Sequence, residues 1–235
     1  MSDTYAEGIK LYKSRNYKDA LAVFLSLPEE EEVSNVDLAY YIGLSYARLN
    51  RYDEALLYLE QVVTAGTDIK RICQCRLTLA VIYNKTGRES LADFELQKLM
   101  ESGYQTAEVF CTLAYTTWQQ HKEKETILYY ERALELKPDN PTALNGLGYV
   151  LACMEKDLTK ALSYCKKALD MNPDSAAYLD SLGWVYYKLG LNKEALSYIK
   201  RAKEKNSVSP EIAEHYEAIS ANNFSINRKD RGTDE

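Results

Sequence analysis

The residues able to carry chemistry in this 235-residue chain are two histidines, five cysteines and twenty tyrosines. Cys73 and Cys75 are separated by Gln74 alone, whereas a zinc pair ordinarily leaves about two to four residues between its thiols. No second pair follows, and His121 and His215 stand far apart in the chain. No metal site is expected, and the two thiols read as ordinary side chains at the start of a helix. The odd cysteine count and scattered spacing argue against a disulfide framework. Cys165 falls on an apolar stripe, where a free thiol packs as a small hydrophobe.

Nucleophilic and phosphate chemistry find no motif either. There is no Gly-x-Ser-x-Gly, no glycine-rich phosphate loop and no cysteine with a histidine nearby, so no catalytic residue and no cofactor is assigned. The acidic run Glu29–Glu32 offers carboxylates for a cation, but a solvated loop explains it more simply. Lys200–Lys205 places positive charge where it complements a helix dipole. Tyrosine is left as the informative residue, with 20 Tyr against 4 Phe: the chain uses rings that carry a hydroxyl.

Composition sets the class of element that must position those rings. Apolar residues make up 46% and charged residues 27%, with 5 Pro and 10 Gly, a balance for a folded chain that is mostly helical. The net charge is −6, and no basic stripe is present, so nucleic acid is not an expected partner. No apolar run approaches the roughly 20 residues of a membrane helix, so direct membrane insertion is not expected. Met1–Tyr5 lacks the features of a secretion signal, which makes the cytoplasm the expected location. A periplasmic or lipid-anchored location is the alternative should a leader have been removed.

A repeat organises the chain. Tyr17-Lys18-Asp19-Ala20-Leu21, Tyr52-Asp53-Glu54-Ala55-Leu56 and Asn192-Lys193-Glu194-Ala195-Leu196 recur in the second half of units of about 34 residues. The units open with patterns such as Ile42-Gly43-Leu44-Ser45-Tyr46, Leu147-Gly148-Tyr149 and Leu182-Gly183-Trp184-Val185-Tyr186. They close most clearly in Ala133-Leu134-Glu135-Leu136-Lys137-Pro138 and Ala168-Leu169-Asp170-Met171-Asn172-Pro173. On these residues the chain resembles the tetratricopeptide repeat family, in its bacterial multi-repeat type. The resemblance implies an all-α, right-handed solenoid of about six helix-turn-helix hairpins. The units are about 1–34, 36–69, 73–106, 107–140, 141–175 and 176–208. A capping helix over 209–221 and a disordered tail over 222–235 complete the expected organisation.

Helical periodicity supports that reading independently. Leu179, Leu182, Gly183 and Tyr186 recur at spacings of three and four, and Ala195, Leu196, Ile199 and Ala202 form a second stripe. Gly8, Gly43, Ala80, Ala114, Gly148 and Gly183 face Ala20, Ala55, Ala92, Thr126, Ala161 and Ala195, where two helix axes must approach closely. Gly87 and Gly190 suit a left-handed residue that ends a helix. Asn140-Pro141 suits an N-cap followed by proline. In the final helix Ile212, Ala213, Tyr216 and Ile219 share one face. Three departures from the pattern stand out: unit 3 lacks a terminal proline, unit 4 has Thr126 in place of alanine, and unit 5 has an extra residue near Lys156-Asp157.

In the family the first helix of each hairpin lines the concave surface. The resemblance therefore implies groove positions at Tyr5, Ile9 and Tyr12; Tyr40, Tyr41, Leu44 and Arg48; Leu77, Asn84 and Lys85; Tyr115, Trp118 and Gln119; Asn145 and Tyr149; and Asp180, Trp184, Tyr187 and Lys188. The partner-binding set expected from these is Tyr5, Tyr12, Tyr40, Tyr41, Arg48, Tyr115, Trp118, Tyr149, Trp184, Tyr187 and Lys188. Such rings provide contact area at low entropy cost and keep a polar tip. Tyr46, Tyr83 and Tyr186 belong instead to the seam inside each hairpin. The family's carboxylate clamp is absent, because Tyr5, Ile9, Gln74 and Thr78 occupy its places.

The function implied is a scaffold or adaptor that holds a peptide or helix of a partner protein. The alternatives are a structural component that self-associates or braces a larger complex, and a regulatory subunit of an enzyme.

Overall fold

The computed structural model describes residues 3–28 and 32–231, the side chains of residues 3 and 223–231 excepted. The described residues form thirteen helices and no strand. Six hairpins follow one another: α1 (Asp3–Lys13) with α2 (Tyr17–Leu25), α3 (Asn35–Arg48) with α4 (Tyr52–Ala65), and α5 (Ile69–Lys85) with α6 (Glu89–Glu101). After these come α7 (Ala107–Gln119) with α8 (Glu123–Leu136), α9 (Pro141–Cys153) with α10 (Leu158–Met171), and α11 (Ala176–Lys188) with α12 (Asn192–Lys205). A single helix, α13 (Pro210–Arg231), packs on α12 and α11. The chain divides into two bodies between Gln105 and Thr106. The first holds α1–α6 and the second α7–α13.

One turn is repeated in every hairpin. Arg15, Asn50, Gly87, His121, Glu155 and Gly190 all have positive φ, between 52° and 76°. Each is followed by a residue whose N–H reaches back to a carbonyl in the last turn of the first helix. These bonds are Asn16 to Leu11, Arg51 to Tyr46, Arg88 to Tyr83, Lys122 to Thr117, Lys156 to Leu151 and Leu191 to Tyr186, all between 2.8 and 3.0 Å. This is the Schellman closure, which satisfies carbonyls that the helix end leaves open. Glycine was expected here only at Gly87 and Gly190. At the other four turns the hydrogen bonds offset the steric cost of a left-handed side chain. His121 therefore has a turn role.

Inside each hairpin the helices touch through small residues. Ala20, Ala55, Ala92, Thr126, Ala161 and Ala195 are all 0% exposed. A Cβ placed on Gly148 would lie 2.6 Å from Cys165 Sγ, so only glycine lets α9 seat on α10. Large side chains such as Leu59, Leu79, Leu96, Leu147, Leu182 and Ile199 are fully buried in the core. Each contributes about 2 kcal/mol of apolar burial. Thr126 departs from the repeat pattern without leaving an unsatisfied hydroxyl. Its Oγ1 pairs with Thr117 Oγ1 at 3.0 Å and donates to the Lys122 carbonyl.

Helix ends follow local chemistry. Asn140 Oδ1 accepts from the N–H groups of Thr142 and Ala143, with Pro141 at the first helical position. Asp157, the site of the extra residue, caps α10 by accepting from Lys160 N–H at 3.0 Å. The third hairpin has no closing proline. Its α6 is ended by left-handed Gly103, with Tyr104 N–H bonded to the Leu99 carbonyl. Of the acidic run Glu29–Glu32, residues 29–31 lie outside the described residues.

The end of the chain departs from expectation. Ile212 and Ile219 are buried as anticipated, but α13 runs to Arg231 and does not stop at 221. No Gly or Pro interrupts 222–231, so the helical ladder continues. Residues 232–235 of the expected tail lie outside the described residues.

Candidate functional site

In the first body the candidate rings lie on α1 and α3. Tyr5 and Tyr12, seven residues apart, share one face of α1, while the adjacent Tyr40 and Tyr41 diverge on α3. Tyr41 is their centre. Its ring stacks on Phe24 at 5.4 Å and meets Tyr5, Tyr12 and Tyr40 edge-on at 6.0, 5.6 and 5.0 Å. Tyr5 and Tyr40 are only 6% and 8% exposed, so little of either ring is open, although Tyr5 borders one of the depressions on this wall. They join α1, α3 and α5: the Tyr40 hydroxyl donates to Gln74 Oε1 at 2.6 Å, and that of Tyr5 to the Asp37 carbonyl at 3.4 Å. Burial, reinforced by Asp37, pushes the Tyr5 phenol up to about 12. Burial likewise raises that of Tyr40.

Among the described residues, two depressions on this wall carry charged groups. One, of about 530 Å3, is lined by Ile9, Lys10, Lys13, Asp37, Tyr41 and Arg71. Arg71 pairs with Asp37 and, at 3.6 Å, with Asp68, while its guanidinium lies over the Tyr40 ring at 5.0 Å. The other, of about 350 Å3, contains Arg48, Leu77 and Lys85. Arg48 is exposed and stands beside the half-buried Tyr12. Basic side chains dominate both depressions.

In the second body the rings come from α7, α9 and α11. Tyr115 is 42% exposed. Trp118 is half-buried and meets Tyr149 edge-on at 6.3 Å. These three border a groove of about 340 Å3 that also contains Asn145, Asp180 and, from α13, Glu211. Its lining includes no Lys or Arg. Burial first, then the neighbouring Glu211 carboxylate, raises the Tyr149 phenol.

Trp184, Tyr187 and Lys188 do not line that groove and form a second cluster. The Trp184 ring stacks on His215 of α13, 4.1 Å between centroids and 19° between planes, and lies 5.1 Å from Tyr187. Lys188 Nζ is 5.3 Å from the Trp184 ring centroid and 2.8 Å from Glu155 Oε1. The guest expected at Trp184 is thus partly replaced by the protein's own imidazole.

Reasoning from the sequence missed His215. Its Nδ1 stands 2.9 and 3.0 Å from the two carboxylate oxygens of Asp180, and both residues are buried. Glu211 lies one helical turn before His215, and one ligand atom from each of Asp180, Glu211 and His215 falls within 4.8 Å of the others. The i, i+4 spacing of Glu211 and His215 was visible in the sequence. The third member lies on another helix, 35 residues from His215.

The turn closure, the small-residue seam and the inner-layer rings define a class of stacked helical hairpins. Family models described as tetratricopeptide repeat match residues 5–68, 107–140 and 139–204, and the chain belongs to that family. A search of curated proteins found no match. Solved structures share the fold. A chain of the APC/C hetero-tetramer Cut9–Hcn1 aligns with a TM-score of 0.76 at 13% identity, over 92% of this chain and 42% of that one. This chain therefore spans less than half of that relative. A tetratricopeptide repeat protein from Parabacteroides merdae ATCC 43184 aligns with a TM-score of 0.69 at 12% identity, over 92% and 83% of the two chains. YrrB, described as a TPR protein with an unusual peptide-binding site, aligns with a TM-score of 0.50 at 18% identity, over 81% and 96%.

Proposed function

We propose that the protein is a non-catalytic scaffold that holds an extended or helical segment of a partner protein, with the inner groove of the second body as a principal contact. The observation that carries this is the set Tyr115, Trp118 and Tyr149, rings left open around a groove of about 340 Å3. A ring that only fills a core is buried on all sides, and Tyr115 is not. Partly exposed Tyr and Trp beside unspent polar groups are the side chains that dominate binding hot spots. YrrB provides precedent for a peptide site on this fold.

The test is the double substitution Tyr115→Ala and Trp118→Ala. Helical circular dichroism should be retained, while affinity capture from the native cell should lose its partner. Full retention of the partner would remove this groove from the account.

A second reading, self-association, is favoured by one observation. Leu57 of α4 is 71% exposed, and Leu91 and Phe94 of α6 are 47% and 49% exposed, a set of apolar side chains on outer helices of the first body. Sedimentation of the wild type and of Phe94→Glu separates the readings. A defined oligomer lost on substitution supports assembly, and a monomer in both leaves the scaffold reading alone.

A further inference from the structure

We infer that the groove of the second body recognises a cationic side chain, Lys or Arg, on the segment it holds. This rests on the groove reading above and adds the chemistry of the guest. The lining has two carboxylates, Asp180 and Glu211, and no Lys or Arg; the basic side chain at Asp180 is the imidazole of His215 behind it. Asp180 is buried and already accepts from His215, but a carboxylate has further lone pairs to offer. Glu211 is exposed at the mouth.

Among the other polar side chains of the lining, Asn145 offers a further acceptor. Asn145 donates through Nδ2 to Ser181 Oγ at 3.0 Å, whereas its Oδ1 is buried without a hydrogen-bond partner. An N–H of the guest is the group that completes it. The walls are the rings of Trp118 and Tyr149, whose faces attract a cation. An ammonium or guanidinium entering this groove exchanges water for carboxylate oxygens, an amide oxygen and π faces. A carboxylate entering would meet two like charges, so the lining also selects against acidic segments.

Selection of a phage-displayed random peptide library on the full-length protein tests this. Recovered peptides are synthesised and their affinities measured by fluorescence anisotropy on the wild type, Trp118→Ala and Glu211→Gln. The expected result is enrichment of Lys or Arg, with affinity lost in Trp118→Ala and reduced about fivefold in Glu211→Gln, in line with a single partly exposed charge pair. Replacing the basic residue of the peptide by norleucine should cost a similar factor on the wild type and almost nothing further on Glu211→Gln. That coupling separates charge recognition from a structural effect of the substitution.

Peptides that need Trp118 but show neither basic enrichment nor dependence on Glu211 would overturn the cation inference and leave the groove standing. Peptides indifferent to Trp118 would overturn both. A stoichiometric divalent metal in the purified protein, lost in His215→Ala, would overturn it as well, because the carboxylates would then be committed to the ion.

Discussion

The two bodies are built from the same hairpin, and their inner walls differ in sign and in openness. In the first, Tyr5, Tyr12, Tyr40 and Tyr41 pack on one another and on Phe24, and the depressions beside them are lined with Lys10, Lys13, Arg48, Arg71 and Lys85. In the second, Tyr115, Trp118 and Tyr149 stay around an open groove whose charges are Asp180 and Glu211. The seam residues that fold a hairpin leave the outward places of its first helix unconstrained. A few substitutions on that face therefore change what the wall accepts without changing the fold.

Alkaline pH should distinguish the bodies. Burial pushes Cys75 in the first body, and Cys111 and Cys165 in the second, up to about 12. Below the ordinary thiol value both folded and unfolded chains hold these protons, and stability is flat. Above it the unfolded chain releases protons that the folded chain keeps, so stability falls by about 1.4 kcal/mol per pH unit for each thiol. Burial raises the Cys153 thiol of the second body as well, so hydrogen exchange between pH 8 and 9, below the ordinary tyrosine range and corrected for its intrinsic rate, should show the second body losing more than the first.

His215→Ala should act on the second body alone, and more strongly. It leaves the Asp180 carboxylate buried without its partner, at a cost of about 3 kcal/mol. Urea denaturation should show the loss, with exchange protection falling in α13 and α11 and unchanged in α1–α5. The corresponding pair in the first body is Arg76–Glu95, 2.6 Å apart, with Glu95 buried and the Arg76 side chain 21% exposed. Glu95→Gln should cost less, about 1–2 kcal/mol by the same denaturation, since the amide oxygen still accepts from Arg76 and the Arg76 side chain keeps contact with water.

The smallest effect is one of specificity. Lys10→Ala with Lys13→Ala should leave the binding of basic peptides to the second body within about twofold, whereas Glu211→Gln should not. Equal sensitivity to both changes would erase the contrast between the walls.

Much of this was legible in the sequence, because the hairpin is a local object. Gly148, Ala161 and the Asn140 cap depend on neighbours within one or two helices, and the repeat displays the small-residue seam six times. The seam assignment of Tyr46 and Tyr186 holds for the same reason: each stacks on a ring of its own hairpin, Tyr58 and Tyr198. The burial of Tyr40 was not legible, since it depends on Gln74 in the next hairpin. His215 was hidden because its partner and the ring that stacks on it come from α11. Thr126 looked like a defect until Thr117 was seen to complete its hydroxyl.

The chain contains two tryptophans, one in the open groove and one stacked beneath His215, so their indole N–H resonances report on the two clusters separately. The most direct measurement is an NMR titration of labelled protein with the partner segment recovered by capture. The Trp118 resonance should shift in proportion to binding while that of Trp184 stays in place. A segment that binds and moves neither resonance would contradict the claim that the open rings of the second body hold the guest.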